Sequence, residues 1–190
     1  MLEDIITSKV RIKLLRLLIE ESQPLHVREI VRRAKEEINA VRRELAQMEK
    51  RGMVKKEHRG NRLYYFFKQS YPYYFDLLAI VNKSFGLGGA IIKNREKFGK
   101  IKWAMLTGNF VRRRTPSSEE VDLLIVGEIN MGVLSSLVRD EEVRIEREIN
   151  YTAMKEEEFN FRKSRHDPFI VKILSGLRTM LIGDEEELLK

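Results

Sequence analysis

Asn39, Arg42, Arg43 and Gln47 are the side chains best equipped for recognition chemistry in this chain. Each carries hydrogen-bond donors on an arm long enough to reach into a nucleic-acid groove. A guanidinium matches the guanine edge, a side-chain amide matches the adenine edge, and either can meet a phosphate. These residues surround Val41, Leu45 and Met48, whose i, i+4, i+7 spacing makes one buried stripe. A helix over 38–51 would therefore turn the polar set outward. Arg59, Asn61 and Arg62 follow at a turn, placed to hold the phosphate backbone or enter a minor groove.

The charge distribution favours the same chemistry. Residues 1–70 hold 17 Lys and Arg against 10 Asp and Glu, and residues 71–190 hold 19 of each. The whole excess of +7 therefore lies before residue 71, where counterion release from a phosphate backbone would use it. With a third of the chain charged, a merely solvated face is the alternative; segregation this sharp favours nucleic acid.

These side chains need elements to position them. Ser8 reads as the N-cap of a first helix with Val10, Leu14, Leu17 and Leu18 inward, broken by Ser22-Gln23-Pro24. A second helix begins near His26 and turns Val27, Ile30 and Val31 inward. The helix over 38–51 ends at Gly52, a residue free to adopt positive φ. Residues 53–58 and 62–67 read as two strands flanking Arg59-Gly60-Asn61. Alternation sends one of Tyr64 and Tyr65 inward and the other toward the sugar-phosphate backbone. This order resembles a winged helix-turn-helix, which implies double-stranded DNA as partner, a recognition helix in the major groove and a basic wing beside it.

Composition removes several classes. There is no cysteine, which excludes disulfide scaffolds, thiol catalysis and cysteine zinc sites. His26, His58 and His166 are too scattered to make a metal centre, and no metal ligand is assigned. No apolar run approaches the ~20 residues of a membrane span. Glu3 and Asp4 stand where a signal peptide would be basic, so the expected setting is cytoplasmic, away from membranes.

Residues 70–85 predict a helix apolar on more than one side, with Tyr71, Tyr73, Tyr74 and Phe75 near its start. Such a helix must be covered, either within the chain or at a homodimer seam matched to a two-fold DNA site. A linking helix is expected over 87–98. Beyond it, strand-like runs at 101–106 and 121–126, a helix at 133–138, a strand at 144–154, helices at 155–165 and 168–174, and a strand at 179–182 predict a small α/β layer. The expected whole is α+β: residues 1–69 as the DNA-binding domain, 70–99 as linking helices, and 100–190 as the second domain.

That second domain resembles the minimal nucleotidyltransferase domain. The full layout is similar to prokaryotic transcription regulators that fuse a winged helix to such a domain. The resemblance rests on Gly108 in the first strand-to-helix turn, Glu120-Val121-Asp122 on the second strand, Arg147-Glu148-Ile149-Asn150-Tyr151-Thr152, Glu157-Glu158-Phe159, Pro168-Phe169 and Leu181-Ile182-Gly183-Asp184. In active members, three carboxylates hold two Mg²⁺ ions and a Gly-Ser turn lets the backbone approach the nucleotide phosphates. This chain departs from that pattern. Asn109 replaces the serine, Arg113 replaces a small glycine, Glu120 is one methylene too long, and Asn150 is neutral where the third carboxylate belongs; Arg112 is retained.

The resemblance therefore implies a degenerate nucleotide-binding site at Gly108, Asn109, Arg112, Arg113, Glu120, Asp122 and Asn150. No catalytic residue is expected, and no cofactor unless the site is active with Mg²⁺. Arg112, Arg113 and Arg114 either capture a nucleotide or phosphorylated effector, or are simply solvated. They could equally be neutralised by Glu119, Glu120 and Asp122. The alternative is an active Mg²⁺-dependent nucleotidyltransferase that modifies a protein or RNA.

Overall fold

A computed structural model describes residues 2–21, 23–112 and 120–190. The fold is mixed α+β with two small sheets. It divides into two compact units, Met1–Val81 and Asn82–Lys190.

In the first unit, α1 (Lys9–Glu20) leads to the short β1 (Leu25–His26), then to α2 (Val27–Ala34) and α3 (Ile38–Lys50). The hairpin of β2 (Val54–Arg59) and β3 (Arg62–Phe67) follows. The strand order is β1-β3-β2, antiparallel throughout. Ser8 caps α1 by accepting from the Arg11 backbone N–H, and Glu37 caps α3 by accepting from the N–H groups of Asn39 and Ala40. Leu14, Leu18, Ile30, Val41, Leu45 and Met48 close the core between the three helices. The inward arc of α1 is Ile12, Leu14, Leu15, Leu18 and Ile19, not the expected set with Val10 and Leu17. The arc is wide because α1 packs on both α2 and α3. Gly60 takes φ 58° in the two-residue turn Gly60-Asn61, which leaves Arg59 and Arg62 directly opposite one another.

The helix α4 (Tyr74–Ser84) contains the boundary between the units, and α5 (Gly86–Lys93) follows. The linking helix expected to reach 98 stops at Lys93. There the Asn94 side-chain amide donates to the Ala90 carbonyl (2.9 Å), and a 3-10 turn at Arg95–Lys97 follows. No single described helix is long and apolar enough to cross a membrane.

The second unit continues with β4 (Gly99–Thr107), α6 (Gly108–Val111), β5 (Leu123–Ile129), α7 (Met131–Ile145), β6 (Tyr151–Met154), α8 (Glu156–Ser164), α9 (Pro168–Ser175), β7 (Arg178–Ile182) and α10 (Glu185–Leu189). The sheet order is β6-β5-β4-β7. Its inner strands β4 and β5 are antiparallel, and β6 lies parallel to β5. Residues 103–107 and 123–126 are buried without alternation, as strands covered on both faces should be. Trp103, Met105, Leu124, Val126, Met154, Phe159, Ile170 and Ile173 form one core cluster. A bulge between Ile101 and Trp103 faces Gly127, whose φ is 144°; a Cβ there would fall 2.2 Å from the Lys100 carbonyl.

The strand expected over 144–154 is a correction. Helix α7 runs on to Ile145 because Leu134, Val138 and Glu141 make a buried i, i+4, i+7 stripe. Arg144 donates twice to the Glu141 carboxylate (2.8 and 2.6 Å), which satisfies that buried acid. Glu146 then ends the helix at φ 54°, and only Tyr151–Met154 joins the sheet.

Candidate functional site

In the first unit, the capped start of α3 fixes which face points out. Asn39, Arg42, Arg43 and Gln47 are all exposed, opposite the buried Val41, Leu45 and Met48. Among the described residues, none hydrogen-bonds or ion-pairs with the side chains of Arg42 or Arg43. Asn39, Arg43, Ala46 and Lys50 recur every turn along one line. Lys50 was not among the expected contacts, although its i+7 spacing from Arg43 could have found it.

The hairpin brings Arg59, Asn61 and Arg62 to its exposed tip. Like charges directly across a ribbon repel, so facing Arg59 and Arg62 disfavours the hairpin except where a carboxylate or phosphate answers them. Arg59 is eased by a hydrogen bond to Glu57, and its guanidinium lies 5.0 Å from the Tyr64 ring centre. Tyr65 is the tyrosine that packs inward; Tyr64 lies on the opposite face, tilted against His26. Lys55 extends the basic surface on the face of β2 that carries Arg59, and Lys56 lies on the opposite face, across from Tyr65. Lys56 donates to Glu49 (3.0 Å), which raises its ammonium pKa.

Two carboxylates organise the surrounding charge. Glu37 is held below the usual carboxylate range by the N–H groups it accepts from at the start of α3 (2.8 and 3.0 Å). Glu29 is lowered to about 2 by hydrogen bonds from Arg32 and Arg33. Those two arginines are thus paired directly, whereas Arg42 and Arg43 reach Glu37 only through space. Gln47 is tied to α1: its Oε1 accepts from Arg11 Nη2 at 2.9 Å. Arg11 also donates to the buried Glu44, which accepts from Ser8 Oγ as well (3.2 Å).

In the second unit, Gly108 opens α6 at the end of β4, and Arg112 is exposed at its close. Arg113, Arg114 and Glu119 lie outside the described residues, as does the Asn109 side chain. Asp122 is 3% exposed and accepts from Arg147 Nη2 (2.6 Å) and the Asn150 backbone N–H (3.1 Å). Arg147 is thus a partner of Asp122 that the sequence reading did not assign. The same guanidinium lies 5.2 Å from the Phe110 ring centre. The Asn150 amide donates to the Glu120 carbonyl (3.3 Å), and the Glu120 carboxylate stands 3.8 Å from Lys172 Nζ.

Gly108 and Glu120 border a cleft of about 140 Å³, also lined by Thr107, Phe169, Lys172 and Leu177. Small-molecule pockets commonly run from about 300 to 1,000 Å³. These residues do not fit a magnesium pair. Asp122 is already satisfied by a cation and a backbone donor, Asn150 supplies no charge, and Glu120 faces an ammonium group. Among the described residues, no cluster of three His, Asp or Glu is arranged to hold a metal.

No protein family, curated protein or solved structure matches this chain.

Proposed function

We propose that this chain is a transcriptional regulator of winged helix-turn-helix type that binds duplex DNA, with α3 in the major groove and the β2–β3 hairpin as the wing. The observation that carries the reading is the outward face of α3. Asn39, Arg42 and Arg43 are exposed, and no described residue hydrogen-bonds or closely ion-pairs with the two arginines, the Glu37 carboxylate acting on them only through space. Beside them is a hairpin that carries Arg59 and Arg62 opposite one another at its exposed tip, with Glu57 answering only Arg59 among the described contacts. Arg42 and Arg43, with Asn39 and Gln47, meet base edges and phosphates; Arg59, Asn61 and Arg62 hold the backbone.

The second unit is a nucleotidyltransferase-like fold that no longer transfers nucleotides, kept for assembly or for a small phosphorylated effector at the cleft beside Gly108. The Asp122–Arg147 pair supports this, since it occupies the one aspartate such a site would need. The protein acts as a homodimer in the cytoplasm, paired through the aromatic start of α4. There Tyr73 and Phe75 are 63% and 51% exposed. A monomer at micromolar concentration would contradict the pairing.

Competition tests the reading: labelled duplex bound to the full chain is challenged with unlabelled duplex and with structured RNA. Duplex displaces the label better in this account; more efficient displacement by RNA would transfer the helix and wing to RNA docking. Mg²⁺-dependent turnover of a nucleoside triphosphate that Asp122→Ala abolishes would restore the enzyme reading.

A further inference from the structure

A cavity of about 490 Å³ lies within the first unit, among the end of α1, the base of the β2–β3 hairpin and the start of α4. That volume falls inside the range of small-molecule sites, about 300–1,000 Å³. Leu18, Ile19, Phe67 and Tyr74, all buried, supply apolar wall, and the half-buried Phe66 adds a third aromatic ring. Aromatic pairs gain attraction beyond the area they bury, so such walls favour a flat aromatic body.

The charged part of the lining is unbalanced. Glu21 is answered by Arg33 at 2.8 Å. Among the described residues, however, none hydrogen-bonds or ion-pairs with the ammonium group of Lys55 or of Lys68. A second cavity, of about 420 Å³ beside the β4 bulge, differs on both counts. Lys100, Lys102 and Lys155 there stand with Glu128, Glu156 and Glu157, and Lys102 donates to Glu156. That lining answers its own charge, whereas the cavity below the hairpin offers two cations and an apolar interior.

We infer that the cavity below the hairpin binds a small organic anion with an aromatic body, an arene carboxylate of one or two rings. Its rings pack against Phe66, Phe67 and Tyr74, and its carboxylate is drawn to Lys55 and Lys68. The site is separate from the cleft beside Gly108 and stands without the DNA-binding reading. One consequence does rest on that reading. Lys55 and Phe66 are cross-strand partners on the hairpin face that carries Arg59 and Arg62. A ligand there answers a cation that the duplex would otherwise use, so ligand and duplex weaken each other by the same factor.

Calorimetric titration of the full chain with naphthalene-2-carboxylate and its neutral isostere naphthalene-2-carboxamide tests the site. The carboxylate should bind about tenfold tighter, about threefold for each of two partly exposed lysines. Lys55→Gln with Lys68→Gln should abolish that difference, and Lys55→Arg with Lys68→Arg should keep it, with thermal melts of the three proteins overlapping. Binding of neither compound would overturn the inference. Equal affinities in the wild type would reduce it to apolar adhesion. A carboxylate preference that survives loss of both lysines would place the anion elsewhere. Displacement by an equal concentration of inorganic phosphate would make the lysines a bare phosphate contact, and would overturn it too.

The same titration on the duplex-bound protein tests the consequence. The carboxylate affinity should fall about threefold, the share of one lysine. An affinity unchanged by bound duplex would overturn the linkage and leave the site. Failure of any duplex to bind would remove the DNA-binding reading and likewise leave the site.

Discussion

The outward face of α3 and the carboxylates just before the start of β5 treat charge in opposite ways. On α3, Arg42 and Arg43 project without a described hydrogen bond or close ion pair, Glu37 acting on them only through space. At β5, Asp122 is sealed against Arg147 and the Asn150 N–H, and Glu120 faces Lys172. Charges left unanswered at a surface are available to a partner, while charges answered inside the fold hold the fold together. Two groups of polar residues that look equally capable of chemistry in the sequence thus have different roles. In the proposed reading the first recruits an anion and the second is structural.

The largest effect that could break this contrast is at α3. Replacing Arg42 and Arg43 together with Ala should weaken duplex binding by about a hundredfold or more, two base or phosphate contacts each contributing roughly 1–3 kcal/mol. The melting temperature should not move, because neither side chain packs. Arg42→Ala alone should relax sequence preference. Unchanged anisotropy titrations with both arginines gone would remove the interface.

Asp122→Asn tests the other half. It removes the buried charge to which Arg147 and the Asn150 N–H donate, and urea unfolding of the second unit should lose about 3 kcal/mol. A variant as stable as the wild type would mean that the pair contributes nothing and the carboxylate is available for other chemistry.

Arg59→Ala sharpens the distinction between reading and holding. It should weaken all duplexes alike, by a few-fold, and reduce the slope of log K against log salt by about 0.9, one phosphate contact. A change confined to one sequence would move Arg59 from the backbone to a base.

The smallest effect is acid-dependent. Glu29 is lowered to about 2 from an ordinary 4.5, so its stabilising contribution is full above about pH 4.5 and is lost as pH falls through about 2. The melting temperature of Glu29→Gln should therefore vary less across that interval than that of the wild type. Parallel curves would show that Arg32 and Arg33 are not held by Glu29 in solution.

How legible each region was in the sequence follows from the range of the interactions that build it. The stripe Val41, Leu45 and Met48, the stop at Gly52 and the turn at Gly60 obey rules spanning a few residues, and the expected elements stand where the structure has them. The alternation over 144–154 misleads because Arg144 belongs to α7, where its polarity serves Glu141 one turn back. Gln47 could be singled out by its type, but its partner Arg11 is 36 residues away and carries no local signal. Asp122 invited a metal reading for the same reason: Arg147 meets it only once β5 and the end of α7 are folded, across 25 positions.

Fluorescence anisotropy on duplex DNA from the gene's own upstream region, beside a shuffled control and at two salt concentrations, tests the central claim most directly. The account predicts tight binding that prefers the native sequence and persists at the higher salt. Equal, salt-fragile binding to both duplexes would contradict it, leaving the basic half as a non-specific coat for nucleic acid.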